Sequence, residues 1–394
     1  MSRKVAVGVC GGIAAYKTIG LVRALIKEGW EVQVIPTPAA LQMVGATTWQ
    51  TLTGKTVTAG LFEDDAHAPH IELARDLDLF VVAPATANTL AKFACGIADN
   101  LLTATFLSAT CPTVLVPAMH TQMWNKPVTV RNVDTLRKWG ITVVEPATGE
   151  LSSGDFGTGR LPGLDVQLFE IAKALREQDF AGKKVVVSAG GTREPVDPVR
   201  WIGNRSSGHM GAKIAQEFAY RGADVTLVAA NVSAEIYPAG VRVEPVQTHG
   251  ELMAKMQDHA DADIIVMAAA VADFRVPVAA DKIKDERLTL TLEPTVDILR
   301  ALTAARRKGQ IIVGFAAETG TAEGVLELGI AKAKKKKADL LVINQVGTQT
   351  GFGDRPSSAT IVDQSGNILS HCEGEKFVIA RGIVDQVRCL VEEL

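Results

Sequence analysis

Short apolar runs recur along the chain, each ended by a glycine or small polar turn and followed by residues at helical spacing. In the first half the runs are 4–9, 31–35, 79–82 and 113–116, with a glycine turn at Gly11-Gly12 and a helix from there to about Glu28 that Gly29 closes. In the second half the runs are 183–187, 224–228, 241–246, 263–267, 310–314 and 340–344. Helical spacing appears near 207–219, 250–259, 295–306 and 322–337, and in a final stretch from about Glu375. Residues 358–362 and 367–371 read as a hairpin over the turn at 364–366. Continuous apolar strands alternating with helices predict an α/β chain of two Rossmann-like, doubly wound parallel-sheet domains. Helical periodicity over 164–177 breaks at 178–182, which places the boundary near Ala181 and the domains at 1–180 and 181–394. The linker is short and not rich in Pro or Ser, so the halves are expected to be closely coupled.

Composition narrows the partners. A net charge of −3 leaves no basic footprint, and 5% aromatic content argues against base stacking, so no nucleic-acid partner is expected. Any phosphate-binding charge must be local. Five cysteines stand scattered with no CxxC pair, which suits reduced thiols in a cytoplasmic protein. The opening MSRKVAVGVCGG is a poor signal peptide, since its apolar run is one strand long and leads into a glycine turn. No apolar run is long enough to span a membrane.

Candidate chemistry gathers just after strands, the binding edge of an open α/β sheet. Residues 188–211, SAGGTREPVDPVRWIGNRSSGHMG, follow a buried run and pack five glycines around Arg193, Arg200 and Arg205 before a helix starts. Such a loop offers backbone N–H groups and guanidinium forks to an anion. A surface loop of solvated arginines would not explain their clustering, with Asn204, at a strand's end. In the first half Thr37, Thr86, Asn88 and His120 stand just after strands. Gly11-Gly12 is not GxGxxG, and no acidic residue ends the second run to hold a ribose. Both facts count against NAD; a glycine turn with small polar neighbours suits FMN better. The second half has no GxxxxGK[ST] loop, which removes a Walker-type ATP site. By spacing alone, the lysines at 332–337 complement a helix C-terminus and Lys332 and Lys336 share a face.

Two sets of motifs resemble known families. TREPVDPVR followed by SSGHMG is similar to the synthetase half of the bifunctional phosphopantothenoylcysteine synthetase/decarboxylase family of bacterial coenzyme A biosynthesis. GGIAAYK, His70-Ile71-Glu72-Leu73, APATAN, DNLL and PAMHTQMW resemble the flavin-dependent cysteine decarboxylases. The resemblance covers nearly the whole chain and implies ligation of L-cysteine to 4′-phosphopantothenate through an acyl-cytidylate made from CTP, then decarboxylation to 4′-phosphopantetheine. It implies FMN held by Gly11, Gly12, Thr37, Thr86, Asn88 and Met119, and His70 as the catalytic histidine. FMN would oxidise the thiol-bearing carbon and so give the carboxylate an electron sink.

For the ligase half the resemblance implies that Lys282, Lys332 and Lys336 hold the CTP triphosphate and that Asp273 works with Mg²⁺ or Mn²⁺. Ala269 and Ala270, Val296, Asp297, Ile298 and Leu299, and Phe315 would line the nucleotide site, and Arg200 and Asn204 would bind the phosphopantothenate intermediate. It further implies homo-oligomers, with ligase dimers and decarboxylase trimers in a dodecamer, and flavin sites shared between subunits.

Two positions depart from the pattern. His120 stands where asparagine usually follows PAM. Ser153, in SSGD, stands where the family's flap has the proton-donating cysteine of ACGD. A serine hydroxyl is a far weaker acid than a thiol of pKa about 8.5. Two rivals follow: an active ligase whose first half is an impaired decarboxylase or FMN-binding scaffold, and a tandem Rossmann NAD(P) oxidoreductase.

Overall fold

The computed structural model describes residues 3–57, 59–61, 68–151, 154–284, 287–347, 353 and 355–393. The chain divides into two compact units, Met1–Glu177 and Gln178–Leu394.

In the first unit β1 (Lys4–Val9), helix α1 (Thr18–Lys27), β2 (Glu31–Pro36), α2 (Pro38–Met43) and α3 (Pro69–Ala74) come first. They are followed by β3 (Leu79–Ala85), α4 (Ala87–Cys95), α5 (Leu101–Ser108), β4 (Thr113–Pro117), α6 (Thr121–Trp124), α7 (Pro127–Lys138) and β5 (Thr142–Val143). The strands form one sheet in the order β2-β1-β3-β4-β5, every pair parallel. β3 is buried at all seven positions, the pattern of a central parallel strand covered on both faces. One face packs against Leu21, Leu25 and Trp49, the other against Leu90, Phe93 and Leu102. Residues 13–17 are a 3₁₀ turn leading into α1. Two short antiparallel strands, β6 (Ala147–Glu150) and β7 (Phe156–Arg160), form a hairpin after the sheet.

The second unit runs β8 (Lys184–Gly190), α8 (His209–Tyr220), β9 (Asp224–Ala230), β10 (Arg242–Val246), α9 (His249–Asp258), β11 (Ile264–Met267) and α10 (Ile298–Ala304). Then come β12 (Ile311–Glu318), α11 (Ala322–Lys336), β13 (Leu340–Gln345), β14 (Ser357–Asp363), β15 (Ile368–Gly374) and α12 (Lys376–Glu392). The sheet order is β10-β9-β8-β11-β12-β13-β14-β15, with β10 to β13 mutually parallel and the expected hairpin β14–β15 antiparallel at the edge.

Residues 178–180 pack with the second unit, three residues before the boundary expected from the sequence. Arg221, 6% exposed in its side chain, donates to Asp179 through Nε and Nη2 and to Asp385 through Nη1 at 2.5 Å. Its guanidinium lies over the Phe180 ring, which meets Phe218 edge-on at 5.0 Å. Burial pushes the Asp179 carboxyl up, but the Arg221 bonds outweigh it and hold the group below the usual range.

Candidate functional site

Each unit has a cleft at the carboxyl end of its parallel strands, where crossover loops splay apart. The first is about 440 Å³. Its floor is Gly11 and Gly12 after β1, and Thr86 and Ala87 after β3. A Cβ on Gly11 would lie 2.4 Å from the Ala39 Cβ, so only glycine lets the β1 and β2 turns approach this closely. Thr86 caps α4, its Oγ1 accepting from the Thr89 N–H at 3.4 Å. Met119, His120 and Met123 form one wall, with Leu161 and Arg160 from the hairpin side. Gly159 of β7 packs so tightly on the β4 loop that an added Cβ would lie 2.1 Å from the Met119 carbonyl oxygen, while Met119 N donates to Gly159 O at 2.9 Å. Apolar walls, a glycine-lined floor and Lys17 and Arg160 at the rim fit a flat ring bearing a phosphate tail.

His120 links this wall to the hairpin. It caps α6, with Nδ1 accepting from Gln122 N–H at 3.3 Å, and Nε2 lies 2.9 Å from Asp155 Oδ2. Nδ1 as acceptor places the neutral ring's hydrogen on Nε2, donated to Asp155. Neither residue type nor spacing along the chain singles out Asp155. Ser153 lies outside the described residues. No described cysteine lines the cleft; Cys10, just before it, is buried, and that burial pushes its thiol up.

Three expected residues are not in the lining. Thr37 caps α2, its Oγ1 accepting from Ala40 N–H at 3.2 Å, and Asn88 is exposed on α4. His70 sits on α3, which packs against α5, and its buried Nδ1 has no hydrogen-bond partner among the described residues.

The second cleft is about 570 Å³. Ala269, Ala270 and Asp273 after β11, Val296 to Leu299, Phe315, Lys332, Lys336 and Asn204 all line it. The loop after β11 is fastened to the loop after β8: Ala269 N donates to Ser188 Oγ at 3.1 Å, Ala272 N to Thr192 Oγ1 at 2.8 Å, and Asn204 Nδ2 to Val271 O at 2.7 Å. Buried Glu194 and His249 brace the other side, with His249 N donating to Glu194 and Nε2 paired with Val296 O at 2.7 Å. Asp297 caps α10 and accepts from Lys336; burial raises its carboxyl, and the lysine bond wins and lowers it. Lys332 pairs with Glu318 at 2.5 Å.

Arg200 and Lys282 are exposed outside this lining but tied together: Asp197 accepts from Arg200 N at 2.8 Å, Arg200 Nη1 at 3.2 Å and Ile283 N at 3.2 Å. Among the described residues no three His, Cys, Asp or Glu side chains converge as a metal site. Lone, exposed Asp273 suits a hard cation whose remaining ligands are phosphate oxygens and water. No described helix is long and apolar enough to cross a membrane.

Residues 1–175 match the Flavoprotein family, and residues 180–390 match the DNA/pantothenate metabolism flavoprotein C-terminal domain. The coenzyme A biosynthesis bifunctional protein CoaBC of Mycobacterium tuberculosis is 47% identical, over 98% of this chain and 96% of its own length. The Bacillus subtilis protein of that name is 39% identical, over 93% and 92%. Among solved structures, the C-terminal domain of a coenzyme A biosynthesis bifunctional protein CoaBC is 30% identical, covering 55% of this chain and all of that one, with a TM-score of 0.46. Identity over nearly the full length of both chains decides the matter: the chain belongs to the family of coenzyme A biosynthesis bifunctional proteins, a flavoprotein unit followed by a pantothenate-metabolism unit.

Proposed function

We propose that the chain converts 4′-phosphopantothenate and L-cysteine to 4′-phosphopantetheine, ligating with CTP in the second unit and decarboxylating with FMN in the first. The observation that carries this reading is that each unit has a strand-end cleft lined by the motifs of one half-reaction.

In the ligation the phosphopantothenate carboxylate attacks the α-phosphorus of CTP and pyrophosphate leaves. The cysteine amine then displaces CMP from the acyl-cytidylate. Lys332 and Lys336 exchange Glu318 and Asp297 for triphosphate oxygens, so their charge is already aimed into the cleft before substrate arrives. Lys282 reaches the phosphates from the segment that Asp197 ties to Arg200. Asp273 would hold Mg²⁺ or Mn²⁺ at this cleft, where the ion would supply positive charge for the leaving pyrophosphate. Arg200 and Asn204 hold the pantothenate moiety, Asn204 fixed by its bond to Val271.

In the first unit Gly11, Gly12, Thr86 and Met119 hold FMN, with Thr37 and Asn88 at its rim. Bound FMN supplies the two-electron oxidation and return that make cysteine's carboxylate able to leave. His120 presents an N–H on the cleft wall under the hairpin, oriented by Asp155. His70 acts on a neighbouring subunit's cleft. The exposed apolar residues Ile13, Tyr16 and Met123 at the cleft mouth suit cover by a second copy in such an assembly.

The test is to give FMN-loaded protein 4′-phosphopantothenoylcysteine and follow carbon dioxide and 4′-phosphopantetheine together. Equal amounts support both roles of the first unit. Carbon dioxide without 4′-phosphopantetheine places the failure at protonation, where Ser153 replaces a thiol. Neither product leaves a ligase with an inactive flavin-binding half.

A further inference from the structure

Decarboxylation puts hydrogen where a carboxylate stood, so the carbon that loses carbon dioxide must be given a proton. Among the described residues lining the first cleft, the ionisable side chains are Tyr16, Lys17, His120, Glu150 and Arg160. Tyrosine, lysine and arginine are weak acids at neutral pH, and a glutamate is ordinarily ionised there. Cys10 lies outside the lining, and burial pushes its thiol up, which makes it a poorer acid. Histidine is the residue type that both takes up and releases a proton near neutrality.

His120 is held on two sides. Its Nε2 lies 2.9 Å from Asp155 Oδ2, and its Nδ1 accepts from the Gln122 N–H at 3.3 Å. The two contacts favour opposite protonation states. A carboxylate at Nε2 favours the imidazolium, as the aspartate of a Ser-His-Asp triad does. An N–H aimed at Nδ1 favours the neutral ring, because a proton on Nδ1 would face the donor's own hydrogen. Asp155 thus helps the ring take a second proton at Nδ1, and the Gln122 N–H stabilises the ring left behind when that proton departs. The His120 side chain is 30% exposed, so water can reload it. Of the other charged groups lining the cleft, Glu150 favours a positive ring, while Lys17 and Arg160 oppose it.

Resting on the decarboxylase reading above, we infer that His120 is the proton donor of the first cleft and that Asp155 is its positioning residue. Loss of carbon dioxide from the oxidised substrate leaves an enethiolate. The His120 Nδ1–H bond breaks, its electron pair staying on nitrogen, and the proton goes to the carbon that lost carbon dioxide. The C=C pair of the enethiolate forms the new C–H bond, and a sulfur lone pair closes a C=S bond. The thioaldehyde so formed takes back a hydride from the reduced flavin and, with a solvent proton, becomes the thiol. With the acid on the cleft wall, the hairpin has no need of a thiol, and serine at 153 is tolerated.

The experiment gives FMN-loaded full-length protein 4′-phosphopantothenoylcysteine in the absence of oxygen. It follows carbon dioxide, 4′-phosphopantetheine, the thiol two hydrogens poorer by mass spectrometry, and the absorbance of oxidised flavin. His120→Gln keeps an amide N–H for Asp155 but carries no acid. It is expected to release about one carbon dioxide per flavin and then turn over about 100-fold more slowly, with the flavin left bleached and the hydrogen-poor thiol accumulating. Asp155→Asn is expected to keep bound FMN, lower turnover about tenfold and move the alkaline loss of activity to lower pH, since an amide does not favour the imidazolium. A merely structural Asp155 would leave the pH profile in place. His120→Gln that keeps both products in step at the wild-type rate overturns the inference. So does His120→Gln that holds FMN but releases no carbon dioxide with its flavin still oxidised, which would make His120 a substrate-binding residue. Hydrogen-poor thiol from Ser153→Ala, with His120→Gln turning over normally, would assign the proton to Ser153 instead. Wild-type protein that releases no carbon dioxide sinks the decarboxylase reading itself, and is told apart because no variant then differs from it.

Discussion

Arg221→Met isolates the interaction that joins the inter-unit segment to the second sheet. Methionine keeps most of the buried stem but removes the guanidinium, so the two bonds to Asp179 and the contact over Phe180 vanish together. Asp179 is 16% exposed and would be left with little water to replace them. Asp385 is 53% exposed, so its bond is largely screened and contributes little. Arg388 Nε stays 3.7 Å from Asp179 Oδ2 and keeps part of the carboxylate's compensation, so the cost falls at the low end of that for breaking a buried pair, about 3 kcal/mol. For a unit of this size each kcal/mol shifts the midpoint by roughly 2–4 °C, so the second unit should melt about 10 °C lower. The assay is calorimetry on the full-length protein, with loss of pyrophosphate release on heating as the marker of the second unit and loss of bound FMN as that of the first. An unchanged second transition, or a shift in the FMN-marked transition alone, would refute the assignment of 178–180 to the second unit.

Three further outcomes follow. Because the folded Asp179 carboxyl is held below its unfolded value, its contribution is complete above about pH 4 and is lost as pH falls through the depressed value; urea midpoints from pH 6 to 2 should show an acid limb that Arg221→Met flattens. Gly159→Ala forces β7 away from the Met119 carbonyl, and a displacement near 1 Å should cut carbon dioxide release by about 100-fold while pyrophosphate release is unchanged. Lys336→Gln should raise the KM for CTP by about tenfold and weaken its salt dependence, read by pyrophosphate release across a salt series.

The parallel sheets were legible because strands covered on both faces are continuous apolar runs, and the residues that follow them mark the binding edge. That rule brought Gly12, Thr86, Met119 and His120 to one cleft and Asp273 and Phe315 to another. It fixes a position along a strand but not the direction of a side chain, so Thr37 and Asn88 share the edge without lining the cleft. The strands β6 and β7 were illegible as strands because ATGE and FGTGR are glycine-rich and weakly β-forming. The helix expected over 295–306 begins at Ile298 because Asp297 takes the cap, and β12 runs on to Glu318 because β13 continues to pair with it. Asp155 was out of reach, because its place depends on the hairpin folding back to His120.

One incubation tests the account most directly. Full-length, FMN-loaded protein is supplied with 4′-phosphopantothenate, L-cysteine, CTP and Mg²⁺, and pyrophosphate, CMP, carbon dioxide and 4′-phosphopantetheine are counted together. The account predicts all four in equal amounts, none of them when CTP is left out. Carbon dioxide and 4′-phosphopantetheine formed without CTP, or pyrophosphate released with no thiol product following, would contradict it.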